Sequence, residues 1–372
     1  MRVSPALSVL ARFCSPLGPA RSVLSRLCPL VLLAVVAPAA AAQSRPHFHH
    51  LAATPETVAW GYYSAAAKPV LRVASGDTVE VETLITNSPQ GLERAGLLPN
   101  EVQQSLRDIT TKVTDKGPGG HILTGPIYID GAEPGDVLEV RILGISFPIA
   151  YAYNGCAGFL PQNCGQPRHS QIIPLDTVHM TATIDSTIQV PMRPFFGSIG
   201  DAPPPDSGRL SSNPPGTHAG NMDNRSLTVG TTLYIPVHAP GALLEIGDGH
   251  AGQGDGEVDQ TAIETSLTGR FQVIVRKDLH FEWPRAETPT ELMTMGMDKD
   301  LTQATRVAVQ QMVDLLGEQL GLPRDKAYAL ASVAADLKIA ELVDGNMCVY
   351  MTIPKKIAGP TFKPEAATGA GP

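Results

Sequence analysis

The sequence predicts a mainly β fold, a sandwich- or barrel-like body carrying a C-terminal α+β appendage of two helices. Three observations predict it. Glycine and proline are both abundant, 35 and 33 among 372 residues, without a collagen-like period, so they mark tight turns between short strands. Period-two alternation of apolar and polar residues recurs along the first two thirds of the chain. After Trp283 the apolar spacing becomes that of a helix.

The chain opens with four arginines (Arg2, Arg12, Arg21, Arg26) and no acidic residue before position 43. An apolar run, Leu27 to Val36, then leads to Pro38 and the small tract Ala39 to Ala42. That order is a secretory leader, residues 1–42, with cleavage near Ala42; an organelle-targeting peptide is the alternative. The run is too short for a membrane-spanning helix, and no later segment is comparably apolar. A soluble exported protein, periplasmic or secreted, with no membrane span in the mature chain is expected.

A β-rich catalytic body is expected over 43–285. Val70 to Val73 and the alternating Thr78 to Thr83 read as strands around a Ser75-Gly76-Asp77 turn. The pattern returns at Ile127 to Ile129, a Glu133-Pro134-Gly135-Asp136 turn, and Val137 to Ile142. Residues 86–117 read as an excursion with some helical character. Residues 191–225, dense in Pro, Gly, Ser and Asn, read as a long functional or disordered loop. Leu233 to Val237 and Ala242 to Ile246 are strands flanking a Pro240-Gly241 turn, and Phe271 to Val275 is another.

The C-terminal part, 286–356, is expected to pack on that body. Apolar residues at helical spacing predict a helix over Leu301 to Leu320, ended by Gly321 and Pro323. A second helix is expected from Asp325 to Leu342, then a short strand from Met347 to Ile353. Residues 357–372, rich in Ala, Gly and Pro, are expected to form a disordered tail.

Charge narrows the function. The formal net charge is −8 and the leader is purely basic, so the rest of the chain is more acidic still. No compact basic run exists, which excludes a nucleic-acid partner. Outside the leader stand three cysteines, Cys156, Cys164 and Cys348; the first two either close a small loop as a disulfide or stay free thiols.

The stretch Gly247-Asp248-Gly249-His250-Ala251-Gly252-Gln253-Gly254-Asp255-Gly256-Glu257 concentrates the chemistry. Glycines fold the backbone tightly enough for side chains to converge, and Asp, Glu and His are the oxygen and nitrogen ligands of zinc and related cations. A solvated hairpin turn and a calcium loop are the plain alternatives, although the spacing is not that of an EF-hand. A second cluster, His218-Ala219-Gly220-Asn221-Met222-Asp223, joins an imidazole, an amide and a carboxylate. A third places His121 after Gly119-Gly120 and before a strand. His47, His49 and His50 read as solvated or as an adventitious metal site. No nucleophile elbow, Walker loop or dinucleotide fingerprint is present, which leaves metal-activated water as the nucleophile.

Several stretches, in this order, resemble the acetamidase/formamidase family: TGPIYIDGAEPGDVLEV (Thr124 to Val140), RPFFGSIGDAP (Arg193 to Pro203), HAGNMD (His218 to Asp223), LYIPV (Leu233 to Val237), GALLEIGDGHAGQGDGEV (Gly241 to Val258) and AYALASVAADLKIAELVD (Ala327 to Asp344). The resemblance implies a β-rich, often oligomeric hydrolase that cleaves short amides such as formamide or acetamide to carboxylate and ammonia. It further implies a divalent metal, zinc in expectation, held by Asp223, Asp248 and His250. Glu257 and Asp255 are then the proton-moving carboxylates, and Asn221, His218 and His121 contact substrate. The loop departs from the family in reading His-Ala-Gly-Asn where His-Gly-Gly-Asn is usual. Three other readings stay open: an exported binding protein without turnover, a calcium-stabilised β domain, and a hydrolase of another amide or urea-like substrate.

Overall fold

The computed structural model describes residues 46–166 and 170–363; the expected leader and residues 364–372 lie outside the described residues. Two large sheets dominate. The nine-stranded sheet runs in the order Phe48–Leu51, Thr78–Glu82, Thr268–Arg276, Val137–Ser146, Thr232–Pro236, Arg285–Glu287, Glu291–Asp298, Met347–Pro354, Asp336–Glu341. The main path of the eleven-stranded sheet runs Gln189–Pro191, Thr181–Thr183, Gln171–Asp176, Tyr151–Asn154, Glu264–Thr265, Leu244–His250, Phe195–Gly200, Ala219–Asn221. Ile122–Asp130 pairs with Leu244–His250 and carries Val58–Trp60 and Leu71–Ala74.

One buried cluster draws on both sheets: Val79, Val81, Leu138, Val140 and Phe271 from the first meet Ile127, Phe196, Ile199, Leu244 and Ile246 from the second. The sheets therefore face each other as a sandwich, each strand contributing alternate residues. Thr78–Glu82 shows this directly, with Val79 and Val81 buried and its other residues half-exposed. Leu233 to Val237 and Ala242 to Ile246 fall in different sheets, so the chain crosses the sandwich at Pro240-Gly241.

The helix Leu301–Leu320 forms where its apolar spacing predicts. Asp300 caps it by accepting from the Gln303 amide at 2.9 Å, and Gly321, at φ 66°, ends it in the left-handed conformation. Ala304, Ala308, Met312, Leu315 and Leu316 form its buried face, packed with Leu292, Val349 and Met351. The strands of residues 286–356 complete the nine-stranded sheet rather than forming one of their own. The 86–117 excursion holds two helices, Pro89–Arg94 and Gln104–Lys112, with Leu92, Leu106 and Ile109 fully buried.

Four expectations are corrected. The second helix is Arg324–Ala334 and stops eight residues short of Leu342; Asp336–Glu341 is a strand, because its backbone pairs with Met347–Pro354. The 191–225 loop contains a central strand, Phe195–Gly200, in which all six residues are buried. Two glycines and a serine break its apolar periodicity, so sequence spacing hides it. The strand expected to end at Ile246 runs on to His250, since Gly249 pairs with Thr265 and His250 with Glu264. The tail begins in order: Phe362 is buried, its ring 5.0 Å from that of Tyr234.

Candidate active site

The strand Leu244–His250 positions the site. Asp248 breaks its regular twist with φ 55°, a left-handed conformation that Asp tolerates better than most residues. Asp223 (φ 44°) and Glu257 (φ 41°) share this conformation. Backbone strain gathered on three acids is the pattern of a site whose surroundings over-determine it. Ala219 at φ 61° occupies the same region, which accounts for glycine being usual there.

Gly197, on the neighbouring strand, makes room. A Cβ there would run into Asp223 Oδ1 and Asp248 Oδ2 and stand 3.0 Å from His250 Cε1. The missing side chain leaves the space into which these groups converge.

His250, fully buried, is the hub. Its Nε2 lies 3.1 Å from Asp248 Oδ2 and 3.3 Å from Glu264 Oε2, aligned for a hydrogen bond to neither. Its Nδ1 lies 2.9 Å from Gln253 Oε1 and 3.8 Å from Asp223 Oδ1. Gln253 spends its amide hydrogens on the carbonyls of Asp223 (2.9 Å) and Ala340 (3.2 Å), so its oxygen accepts from Nδ1–H. Thr86 donates to Asp248 Oδ1 at 3.2 Å, and His121 Nε2 stands 3.8 Å from Asp248 Oδ2. Asn221 donates to both Asp223 Oδ2 (2.8 Å) and Asp344 Oδ2 (3.0 Å).

His250 lies behind the wall of a cavity of about 60 Å³, which is lined by Thr86, His121, Asn221, Asp223, Asp248, Glu264 and Asp344 together with Tyr153, Glu257, Gln260 and Thr261. Its electrostatics are those of too many acids in one place. Burial, then the neighbouring Glu257 and Asp344, push the Asp223 carboxyl well above the usual range. Burial, with Asp344 and Glu264, does the same to Glu257. Burial opposes charge on Asp248 too, yet His250 and His121 hold its carboxyl well below the usual range. Burial opposes charge on His250, but Glu264 and Asp248 overcome it and raise the imidazole well above its ordinary value.

Such a set fits a cation. Asp223 Oδ1, His250 Nε2, Glu257 Oε2 and Glu264 Oε2 are buried without a hydrogen-bond partner. Two groupings have donor atoms within 4.8 Å of one another, Asp223-His250-Glu257 and Asp248-His250-Glu264. Oxygen donors with one imidazole suit a divalent metal, which would take the place the imidazole proton now fills. Gln253, by taking Nδ1–H, directs Nε2 at Asp248 and Glu264, where a metal would displace its proton.

Of the residues expected from sequence, Asp223, Asp248, His250, Glu257, Asn221 and His121 come together here. Two do not. Asp255 is exposed and accepts from the Tyr350 hydroxyl at 3.1 Å, because Gly254 and Gly256 turn it outward. His218 is buried outside the cavity lining, edge-on to Tyr63 with ring centroids 5.0 Å apart; burial and nearby His238 lower its pKa to about 3. Glu264 and Asp344 were missed. Glu264 sits in a run without glycine or turn residues, its one signal being an acid amid strand-forming residues. Asp344 lies two residues past the expected end of the second helix, and an acid before Gly345 reads as an ordinary turn. His49 and His50 bond to Asp77 (2.8 Å) and Glu82 (3.1 Å) instead of gathering around a metal. Cys156 and Cys164 form a disulfide, and Cys348 is a buried free thiol. No helix among the described residues is long and apolar enough to cross a membrane.

The sequence profile of the Acetamidase/Formamidase family matches residues 65–209 and 207–359. A formamidase of Methylophilus methylotrophus is 29% identical over 193 residues, 37% of this chain and 47% of the relative. An acetamidase of Mycolicibacterium smegmatis is 26% identical over 221 residues, 43% of this chain and 53% of the relative. The chain thus spans about half the length of the curated relatives it matches. The crystal structure of a predicted acetamidase/formamidase from Thermoanaerobacter tengcongensis superposes with a TM-score of 0.73 at 27% identity, covering 85% of this chain and 100% of that one.

Proposed function

The chain belongs to the acetamidase/formamidase family, and we propose from this premise that it hydrolyses primary amides to carboxylate and ammonia. The observation that carries the reading is the buried imidazole with a free Nε2 between two carboxylates, beside acids that have unpartnered oxygens. Asp248, His250 and Glu264 are the residues we assign to a divalent cation, zinc first; Asp223, with its own free oxygen, is the alternative ligand. When bound, such an ion polarises the amide carbonyl and acidifies a water so that attack is feasible near neutral pH.

The chain's own groups do the rest. Glu257, freed by a nearby positive charge from the repulsion of its neighbours, takes the proton of the attacking water and delivers it to the departing nitrogen. Asn221 holds Asp223 and Asp344 in place, and His121 at the cavity wall is positioned to donate to the substrate oxygen. Asp255 has no part in this scheme.

Glu257→Gln tests it. The variant is expected to keep its bound metal and lose about 10²–10⁴-fold in kcat, the usual weight of a general base. Undiminished ammonia release would remove Glu257 from this role. No release from any amide by the metal-loaded parent would leave a binding protein.

Export remains a proposal, supported by the leader pattern and by the Cys156–Cys164 disulfide, which persists in oxidising compartments. Self-association is likewise proposed, supported by exposed apolar Tyr328, Val333 and Leu337. Light scattering decides the second, and the N-terminus of protein recovered from its native host decides the first.

A further inference from the structure

Beside the acid cavity lies a second, larger space. A cleft of about 470 Å³ opens between the strands Gln171–Asp176 and Gln189–Pro191 and the segment 252–263. Glu257 and Thr261 line both spaces, and Gln253, whose oxygen meets His250 Nδ1, lines the cleft. The two are therefore neighbouring parts of one site. The acid cavity is too small for more than the reacting end of a substrate.

The cleft has a definite chemical character. Ile173, 1% exposed, belongs to a buried cluster with Leu175, Ala182 and Met192, and the partly buried Ile184, Val190 and Ile263 pack against that cluster. All four isoleucine and valine side chains line the cleft. Gly252 and Gly254 add no bulk. Its charged lining groups are all acids, Asp255, Asp259 and Glu257, with no lysine or arginine among the described residues. An apolar surface rimmed by acids repels a carboxylate and accepts a neutral hydrocarbon chain.

We propose that this cleft is an acyl-chain subsite, and that the preferred substrates are primary amides with an uncharged, apolar acyl chain of about four to six carbons. The proposal rests on the amidase reading above and extends it from the smallest amides to longer ones. The amide group enters the acid cavity past Glu257 and Thr261 while the chain lies along Ile173, Ile184, Val190 and Ile263. After hydrolysis the product carries a negative charge beside Glu257, Asp255 and Asp259, and that repulsion favours its release.

The test is ammonia release by the metal-loaded, full-length protein from acetamide, butyramide and hexanamide. Burial of each methylene is expected to raise kcat/KM about fourfold, so hexanamide should exceed acetamide by on the order of 100-fold. Val190→Asp should cancel most of that gain, with a circular dichroism spectrum like the parent's showing that the variant folds. A specificity that is flat or falls with chain length overturns the subsite. If no amide is turned over, the amidase reading fails separately, and calorimetric binding judges the cleft. Hexanamide binding weakened about tenfold or more by Val190→Asp would retain it, and no binding would overturn it.

Discussion

Replacing Gly197 by alanine places one methyl group at the point where the site converges. Its Cβ would overlap Asp223 Oδ1 and Asp248 Oδ2, and meet His250 Cε1 at 3.0 Å. Neither aspartate can swing aside freely: both are short, nearly fully buried side chains on left-handed backbone. Regaining ordinary contact moves each oxygen by about 1 Å, and a displacement of that size costs on the order of a hundredfold in rate. Overpacking of a buried site adds about 1–3 kcal/mol of destabilisation. Gly197→Ala should therefore fold with a modestly lower melting temperature, bind a divalent metal about 10–100-fold more weakly, and lose amide hydrolysis accordingly. Metal titration followed by calorimetry, alongside circular dichroism, measures both. A variant that folds, binds metal like the parent and turns over amide at the parent's rate would refute the claim that this glycine creates the site's geometry.

Three further outcomes follow from the same structure. Glu264→Gln, which keeps its shape and the Ala262 amide bond at 2.8 Å but loses charge beside His250, should weaken metal binding about 10–100-fold; unchanged affinity would exclude it as a ligand. Burial and the adjacent Asp344 raise Glu341 to about 8, so the metal-free folded protein keeps a proton that the unfolded chain releases above the ordinary carboxylate pKa. Stability should then fall as pH rises from about 4.5 to about 8, and Glu341→Gln should make that fall shallower by up to about 1.4 kcal/mol per pH unit; parallel denaturation curves against pH would contradict this. Reducing the Cys156–Cys164 bond should cost about 2.5 kcal/mol from its short loop. The Ala157 and Phe159 amides donate to the Asp259 and Val258 carbonyls at 3.0 and 2.8 Å, so hydrogen exchange should rise at the Ala157 and Phe159 amides, and unaltered exchange there would show that the disulfide does not hold this contact.

Sequence reading located the site's densest part but not its perimeter. Asp248, His250, Glu257 and Asp223 announce themselves because glycines surround them and such backbones are costly unless used. Glu264 is brought to His250 by the pairing of two strands 14 positions apart, and register is a property of the fold rather than of local composition. The same limit explains Asp336–Glu341. Leu337 and Ala340, three positions apart, satisfy a helical pattern, and only the partner strand Met347–Pro354 decides against it. Leu301–Leu320 was readable to the residue because its cap, apolar face and terminal glycine are all local. Asp255 was misplaced for a related reason: in a glycine-rich run, adjacency in sequence says little about direction in space.

The site's members come from distant stretches of chain: Thr86, His121, Tyr153, Asp223, Asp248 with His250 behind it, Glu264 and, last, Asp344 in the turn before Met347–Pro354. The donors Asp248, His250 and Glu264 precede that turn in the chain, but the cavity beside them lacks its Asp344 wall until that final hairpin docks. Synthesis proceeds from the N-terminus, so the ion-binding geometry is among the last things the chain acquires. On the metal-binding and export readings proposed above, metal selection would then be a late event of biogenesis: the ion encountered would be the one abundant where folding finishes.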